Sequence, residues 1–377
     1  RKIDEQSAQS GEYVSLGMLA THADDVYGAA PTREAEEDIK DTFKREWPDI
    51  KWSKIVYVLG FNFIETQHTI QFTAASFIER VVDEHYPQWR SEPPARPPAP
   101  YDKETFQLEL EPRPTESEHL RKHLARTQRM RAKVGAAIHA SKIRFDIVPA
   151  LSRCAAVAAG PSPEAEERID KMWAWLWHTR TSGPTYGGPD MSASSLEAPI
   201  DLRPCLTGNN EPGQLSYSFH AYSDGNLEQT GRSTLGAVLM FGGAAVSVAS
   251  HKQHSIAIAA TDSEAMSATA AGCLAIPMRG MLSFFGVLQE LPTTLFIDND
   301  ATVKIAKDVT SMRKSIWMRR RVQHLQEQVA LGEIRVAAVG GINNIADVWT
   351  KHVTVAWFML AMTKTMGHDF AKSLNEA

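Results

Sequence analysis

The sequence predicts an α/β (α+β) protein in which residues 214–353 form a mixed five-stranded sheet with flanking helices. Three consecutive hairpin-connected strands come first, and strands alternating with helices follow. Hairpin-connected strands pair antiparallel, whereas strands separated by a helix can pair parallel, so the sheet should be mixed. The predicted strands are Ser216–Ser223, Thr234–Phe241, Ala244–Ser250, Thr293–Ile297 and Ile334–Val339. The predicted helices begin near Asp262, Ala301, Arg313 and Asn344.

Length and composition fit a globular protein of two or three domains. The 377 residues are 43% hydrophobic and 23% charged, enough to bury a core and to exclude general disorder. The net charge of −5 means that nucleic-acid contact must come from local patches. Cys154, Cys205 and Cys273 share no close spacing, which excludes a disulfide framework and fits a reducing compartment. With no signal pattern and no apolar run of ~18 residues, we expect no membrane span and an intracellular protein, cytoplasmic or nuclear.

Changes in composition divide the chain into six predicted segments. Pro93–Pro100 carries five prolines in eight residues and should form a stiff linker. A second stretch, Gly183–Gly213, is rich in Gly, Pro, Ser and Asn and should also be a linker. The segments are a first α/β unit (1–92), a Pro-rich linker (93–118), a helical region (119–182), a linker (183–213), the sheet domain (214–353) and a C-terminal helical tail (354–377).

Local patterns place further elements in the first unit and in the helical region. An apolar run over Met18–Ala30 is interrupted by acids where a hairpin turn would fall, and Thr32 is placed to cap a helix that ends near Glu46. The other predicted elements are a strand at Ile55–Ile64, its partner at Ile70–Phe72, a helix at Ser76–His85, and a helix from the cap Ser162 to about Thr179.

Four acids occupy corresponding places in the sheet domain. Asp224 and Asp298 end strands, Glu264 lies in the first helix, and Asp347 opens the last helix. Any one of them could be an ordinary cap or loop acid, but four in this order favour a shared site at the carboxyl ends of the strands. Phosphodiester hydrolysis can use two divalent ions about 3.5–4 Å apart, and Mg²⁺ prefers oxygen ligands of this kind.

The sheet domain resembles the ribonuclease H domain of copia-like (Pseudoviridae) retrotransposons. The matching stretches are Ser223-Asp224, Lys252-Gln253, Ser263-Glu264-Ala265, Asp298-Asn299-Asp300-Ala301 and Ala346-Asp347-Val348-Trp349-Thr350-Lys351. The resemblance implies that Asp224, Glu264, Asp298 and Asp347 bind Mg²⁺, with Mn²⁺ as a possible substitute. It also implies hydrolysis of the RNA strand of RNA–DNA hybrids. Asp262 is the neighbour most easily confused with Glu264, which aligns with the Glu of the family's Ala-Glu-Tyr-like helix start.

The resemblance extends upstream, over about residues 12–353. His22-Ala23-Asp24-Asp25 is similar to the reverse-transcriptase palm hairpin, usually Tyr-Val-Asp-Asp, which implies Asp24 and Asp25 as a palm metal pair. Arg144-Phe145-Asp146-Ile147 is similar to the family's Arg-Pro-Asp-Ile segment in the connection. Residues 1–92 would then be a partial palm and thumb-like segment. The remaining palm Asp and the fingers would precede Arg1, so we expect no polymerase activity from this chain alone.

Departures from the family pattern keep a second hypothesis open. His22 and Ala23 occupy the positions where the family has Tyr and Val. The family's Lys-His-Ile-Asp is here Lys314-Ser315-Ile316-Trp317, and the loop Gly340–Asn344 has no His. These changes favour a domesticated, inactive remnant that acts as a structural or nucleic-acid-binding subunit of a larger complex. The four acids favour the enzyme, which would work beside other parts of a retroelement polyprotein.

A basic stretch follows the third acid. Lys304–Leu325 holds seven cations and one acid, which fits either a phosphate-binding surface or a solvated helix face. These cations are Lys304, Lys307, Arg313, Lys314, Arg319, Arg320 and Arg321. The expected partners are an RNA–DNA hybrid, RNA and DNA, read by shape and 2′-OH contacts. Trp173 and Trp177 fit a core better than a base-stacking platform. His119 and His123 lack a third ligand, so zinc is not expected.

Overall fold

The computed structural model describes residues 18–22, 25–30, 32–66, 69–187, 219–228, 231–284, 287, 289, 291–308 and 319–376. The chain divides into two compact units, residues 1–58 and 59–377. Among the described helices, none is long and apolar enough to span a bilayer. The described residues have a mixed α/β architecture.

The compact unit of residues 1–58 contains a β-hairpin and one amphipathic helix. Its elements are β1 (Met18–His22), β2 (Asp25–Ala29), α1 (Arg33–Glu46) and β3 (Tyr57–Val58). β1 and β2 pair antiparallel with His22 opposite Asp25, so the hairpin predicted at the paired acids is present. The hydroxyl of Thr32 accepts the Ala35 N–H at 3.2 Å, which caps α1 as the sequence predicts.

Residues 59–187 form several helices and a small antiparallel sheet. This segment includes the predicted helical region, residues 119–182, and is called the helical region from here on. Its strands are β4 (Phe61–Glu65), β5 (Ile70–Thr73) and β6 (Thr185–Tyr186). Its helices are α2 (Ala75–His85), α3 (Ser117–Ala140), α4 (Val148–Val157) and α5 (Pro163–His178), with 3₁₀ helices at Pro87–Arg90, Glu104–Gln107 and Phe145–Ile147. The predicted strand Ile55–Ile64 is interrupted, because Leu59 and Gly60 have φ angles of 51° and 90°. Its second part, β4, pairs antiparallel with β5, as the sequence predicts. β6 pairs with β5, so the start of the predicted second linker belongs to this sheet.

The sheet domain has five strands in the order β11-β10-β7-β8-β9. Its strands are β7 (His220–Asn226), β8 (Thr234–Phe241), β9 (Ala244–Lys252), β10 (Thr293–Ile297) and β11 (Ile334–Ala338). β7, β8 and β9 pair antiparallel, whereas β10 runs parallel to both β7 and β11. The predicted mixed sheet with flanking helices is confirmed, and its strand order is that of the ribonuclease H-like fold.

Helices flank this sheet and close the chain. They are α6 (Ala260–Phe284), α7 (Asp300–Lys307), α8 (Arg319–Ala330), α9 (Val355–Met366) and α10 (Phe370–Glu376). The helix predicted near Asn344 is instead a pair of 3₁₀ helices, Gly341–Asn343 and Ile345–Trp349. The Asn344 side chain accepts the Ala346 N–H and so caps only this short turn.

Side chains alternate across the sheet, and each face packs against different parts of the chain. Ala221 and Leu295 face α6 and α8 and belong to one hydrophobic core. Tyr222 and Phe296 point to the other face and belong to the core of the helical region, which also contains Trp349. The sheet domain and the helical region therefore share a core.

A buried ion pair anchors the helical region. The Arg144 guanidinium donates to both carboxylate oxygens of Asp146 at 3.0 and 2.6 Å, and both side chains are fully buried. The Trp175 indole N–H also donates to Asp146, and Thr179 accepts from Arg144. The segment that resembles Arg-Pro-Asp-Ile therefore joins the 3₁₀ helix Phe145–Ile147 to the C-terminal end of α5.

The tryptophans and many cations of this region also have structural partners. Trp173 and Trp177 are buried, which supports the core interpretation. On α3, three cations pair with acids from other elements: Arg126 with Glu111, Arg129 with Glu166 and Lys133 with Asp170. These pairs involve three of the eight Lys and Arg residues between positions 121 and 144.

Candidate active site

The register of two parallel strands brings Asp224 and Asp298 together. Ser223 of β7 lies opposite Ile297 of β10. Each aspartate follows one of these residues, so both carboxylates lie at the same edge of the sheet, where the parallel strands end. Asp224 is buried and Asp298 is half-buried.

Close packing of α6 on β7 adds Glu264. A Cβ at Gly225 would lie 2.5 Å from the backbone of Ser263, so only glycine allows the first turn of α6 to approach Asp224 this closely. The Gln253 amide donates to the Ser263 carbonyl at 2.8 Å and to the Ser267 hydroxyl at 3.2 Å. Contacts with Gly225 and with Gln253 therefore fix the position of the helix turn that carries Glu264.

Asp224, Glu264 and Asp298 form a cluster that could hold a metal ion. Each offers a carboxylate oxygen, and these oxygens all lie within 4.8 Å of one another. The Oε2 atom of Glu264 is buried and has no hydrogen-bond partner among the described residues. Asp262 instead accepts the Ala259 N–H at 3.2 Å in the preceding turn, so Glu264 is the acid of this helix that joins the cluster.

Asp347 approaches the cluster from the 3₁₀ helix Ile345–Trp349. This segment lies directly on β8, because a Cβ at Gly236 would be 2.9 Å from the Ala346 carbonyl oxygen. The Asn344 amide donates to the Ser223 carbonyl at 3.0 Å, which ties the segment to β7. Asp347 is half-buried and lies outside the set of three within 4.8 Å.

Mutual repulsion and burial shift the acids toward their protonated forms. Burial, then the charges of Asp224 and Asp298, raise the pKa of Glu264 to about 10. Burial and Asp224 raise the pKa of Asp347 to about 7, although Lys351 opposes this. The pKa of Asp298 is also raised, by burial and by Asp224. A divalent cation at this edge would relieve the repulsion that these shifts reflect.

Three further polar residues of the site have no role assigned by sequence reasoning. Asn344 links the acid-bearing segment to β7, and the Thr350 hydroxyl donates to Asp224 Oδ2. The Lys351 ammonium lies 3.0 Å from Asp347 Oδ1. Thr350 and Lys351 end the stretch Ala346–Lys351 that carries the resemblance. Their place in that stretch is the sequence feature that could have identified them as site residues. Their contacts depend on a short turn that periodicity does not reveal.

The structure locates two of the predicted phosphate-binding cations. Asn299 caps α7 directly after Asp298, and Lys304 and Lys307 are exposed on this helix. Arg313 and Lys314 lie outside the described residues, as do the side chains of Arg319, Arg320 and Arg321, which begin α8.

The predicted palm pair is described only in part. Asp24 lies outside the described residues, and Asp25 is described only through its backbone as the first residue of β2.

A search of solved structures finds similarity to a foamy viral protease-reverse transcriptase dRH in complex with double-stranded DNA. The two chains are 12% identical, with a TM-score of 0.45. The match covers 85% of this chain and 45% of that chain, so this chain spans less than half of its length. No family model and no curated protein matches the sequence.

Proposed function

We propose that the sheet domain is a metal-dependent ribonuclease H that hydrolyses the RNA strand of RNA–DNA hybrids. The observation that carries this proposal is the acid cluster. Asp224, Glu264 and Asp298 come from two strands and a helix and converge at one edge of a sheet with the ribonuclease H-like strand order. The resemblance of these acid-bearing segments to copia-like retrotransposons supports the same reaction.

The residues present fit a hard divalent cation such as Mg²⁺, or Mn²⁺ in its place. The donor set is all carboxylate, and the Oε2 atom of Glu264 is buried without a hydrogen-bond partner among the described residues. Asp224, Glu264, Asp298 and Asp347 would hold the metal. When bound, divalent ions activate water, stabilise the leaving oxygen and orient the scissile phosphate. The carboxylates must lose their protons to bind, and the Thr350 hydroxyl fixes Asp224 in place.

The surface next to the acids suits a nucleic-acid backbone. Lys304 and Lys307 are exposed on α7, whose first turn follows Asp298. They would bind backbone phosphates by charge and without sequence preference. Discrimination of the RNA strand would come from its 2′-OH groups and from the shape of the hybrid.

We extend the proposal to the rest of the chain. Residues 1–92 would be part of a reverse-transcriptase palm and a thumb-like segment, with Asp24 and Asp25 as its metal pair. Residues 119–182 would be the connection, joined through residues 93–118 and 183–213, with 354–377 as a helical tail. The β1–β2 hairpin, in which His22 lies opposite Asp25, supports this assignment.

Asp298→Asn tests the ribonuclease proposal. The change removes one carboxylate charge and keeps side-chain size, so the variant should fold and bind hybrid while cleavage falls by about 10²-fold or more. Asp300→Asn is the matched control, because Asp300 is an exposed acid two residues along the chain. The assay compares RNA in a hybrid with the same RNA single-stranded, in Mg²⁺ and in Mn²⁺.

The alternative is a catalytically inactive remnant that binds nucleic acid within a larger complex. The loop Gly340–Asn344 before Asp347 contains no histidine, which favours this alternative. Hybrid binding by the wild-type chain without cleavage in either metal would support the remnant and reject the enzyme.

A further inference from the structure

A lysine lies among the acids of the candidate metal site. Lys351 follows the 3₁₀ helix Ile345–Trp349, and its ammonium is 3.0 Å from Asp347 Oδ1. The Lys351 N–H also donates to the Asp347 carbonyl at 3.2 Å, so the backbone holds the two side chains on one turn. The ammonium therefore lies against Asp347, and the neighbouring residue Thr350 contacts Asp224.

We propose that Lys351 is a built-in counterion that holds the acid cluster together without metal and competes with the divalent ion for Asp347. The inference rests on the proposed metal-dependent function and adds a residue that sets metal affinity. It assigns Lys351 a positioning role, since the ammonium acts through the carboxylates.

The geometry differs from that of an ordinary surface ion pair. Lys122 and Glu118 also pair at i, i+4, at 2.8 Å, but their side chains are 68% and 78% exposed, so water screens them. The Lys351 side chain is 42% exposed, but Asp347 is only 14% exposed and Asp224 is buried. Water therefore screens the Lys351–Asp347 pair less than the Lys122–Glu118 pair, and the attraction within it is stronger.

Two effects of opposite sign follow from this arrangement. Without Lys351, the carboxylates repel one another with no compensating charge, so the metal-free protein should be less stable. A divalent ion would no longer have to displace an ammonium from Asp347, so it should bind more tightly. A lysine that served packing alone would lower stability without tightening metal binding.

Lys351→Met tests the inference, because it keeps the aliphatic stem and removes the charge. Mn²⁺ binding is measured by titration calorimetry, and melting temperature is measured with EDTA and with Mn²⁺. We expect the melting temperature in EDTA to fall and Mn²⁺ affinity to rise about tenfold, the effect of removing one nearby positive charge. In an Asp347→Asn background, Lys351→Met should change the affinity much less. Unchanged or weaker Mn²⁺ binding by Lys351→Met would overturn the inference.

Lys171→Met is the matched control. Lys171 pairs with Asp102 at 2.6 Å in the helical region, and both side chains are similarly half-buried. This change should lower stability but leave Mn²⁺ affinity unchanged. An equal rise in affinity for both variants would mean that the effect is general and would reject the specific role of Lys351.

Further outcomes distinguish a packing role of Lys351 from its proposed role as a counterion, and failure of the counterion from failure of the proposed function. If Lys351→Met unfolds in EDTA but folds in Mn²⁺, the metal has replaced the missing charge, as expected. If it and Lys351→Gln stay unfolded in saturating Mn²⁺, the lysine is a packing residue and the inference fails. A wild-type chain that neither binds Mn²⁺ nor cleaves hybrid would reject the proposed function. Binding and cleavage by wild type, with equal affinity in Lys351→Met, would reject only the counterion.

Discussion

The hydroxyl of Thr350 donates to Oδ2 of Asp224, a residue 126 positions earlier in the chain. Thr350 Oγ1 also lies 3.1 Å from the Asp347 carbonyl oxygen. One threonine therefore joins the central carboxylate of the cluster to the segment that carries the fourth acid. Both Thr350 and Asp224 are buried, so water cannot readily replace this contact.

Thr350→Val should weaken the site and the fold together. Valine keeps the branched shape but leaves Asp224 Oδ2 without its donor, so we expect a loss of about 1.5–3 kcal/mol in the free energy of unfolding. Thr350→Ser retains the hydroxyl and should recover most of this loss. Urea denaturation measures the effect on the fold, and an assay of hybrid cleavage measures the effect on the site. Equal stability of the valine variant and wild type would show that the hydrogen bond does not matter.

Gly225→Ala should separate α6 from β7. Its new Cβ would meet the Ser263 backbone at 2.5 Å, and backbone cannot move aside as a flexible side chain can. We expect a destabilisation of about 1–3 kcal/mol and weaker metal binding, because Glu264 would shift away from Asp224. Gly280→Ala, on the same helix with open space around its Cβ, should instead stabilise by about 0.5–1 kcal/mol. Thermal melting of the two variants gives the comparison.

The metal-free protein should lose stability as pH rises. The pKa of Glu264 is raised from 4.5 to about 10, and that of Asp347 from 3.8 to about 7. Above the lower values the folded state binds more protons than the unfolded state, so unfolding becomes more favourable with increasing pH. A divalent cation would bind the deprotonated acids, so stabilisation by Mg²⁺ should grow over the same range.

Melting temperatures between about pH 6 and about pH 9, with EDTA and with Mg²⁺, measure this linkage. Glu264→Gln removes the main titrating group and should flatten the dependence in EDTA. A metal-induced shift that stays constant with pH would contradict the assignment of Glu264 and Asp347 to the site.

Arg144→Met should strongly destabilise the helical region. It would leave the Asp146 carboxylate fully buried without its cation, for which we expect a cost of about 3–5 kcal/mol. Arg129→Met removes an ion pair whose arginine is 55% exposed and should cost less than about 1 kcal/mol. Chemical denaturation of both variants tests the difference. Comparable losses in the free energy of unfolding would mean that the buried pair contributes no more to stability than the exposed pair.

The sequence predicted the strands of the sheet domain well because their residues alternate or form short apolar runs. The predicted strands Thr234–Phe241 and Thr293–Ile297 have the observed bounds. The parallel register of Ser223 and Ile297 places Asp224 and Asp298 side by side, and the order of elements along the chain was enough to suggest this.

The parts of the site that sequence reasoning missed depend on contacts between distant segments. Gly225 and Gly236 matter because of the backbone that crosses them, which local composition does not encode. The helix predicted at Asn344 was wrong because Asn344 caps a single 3₁₀ turn. That turn places Thr350 and Lys351 against the acids, although no periodic pattern marks either residue.

The indole N–H of Trp349 donates to the Phe145 carbonyl at 3.2 Å, across 204 positions of the chain. Trp349 is fully buried and follows Asp347 by two residues, so the fourth acid depends on the helical region for its support. A fragment that kept the sheet domain without the helical region would expose this indole and displace Asp347. Any fragment that keeps the four acids in place must therefore include the helical region as well.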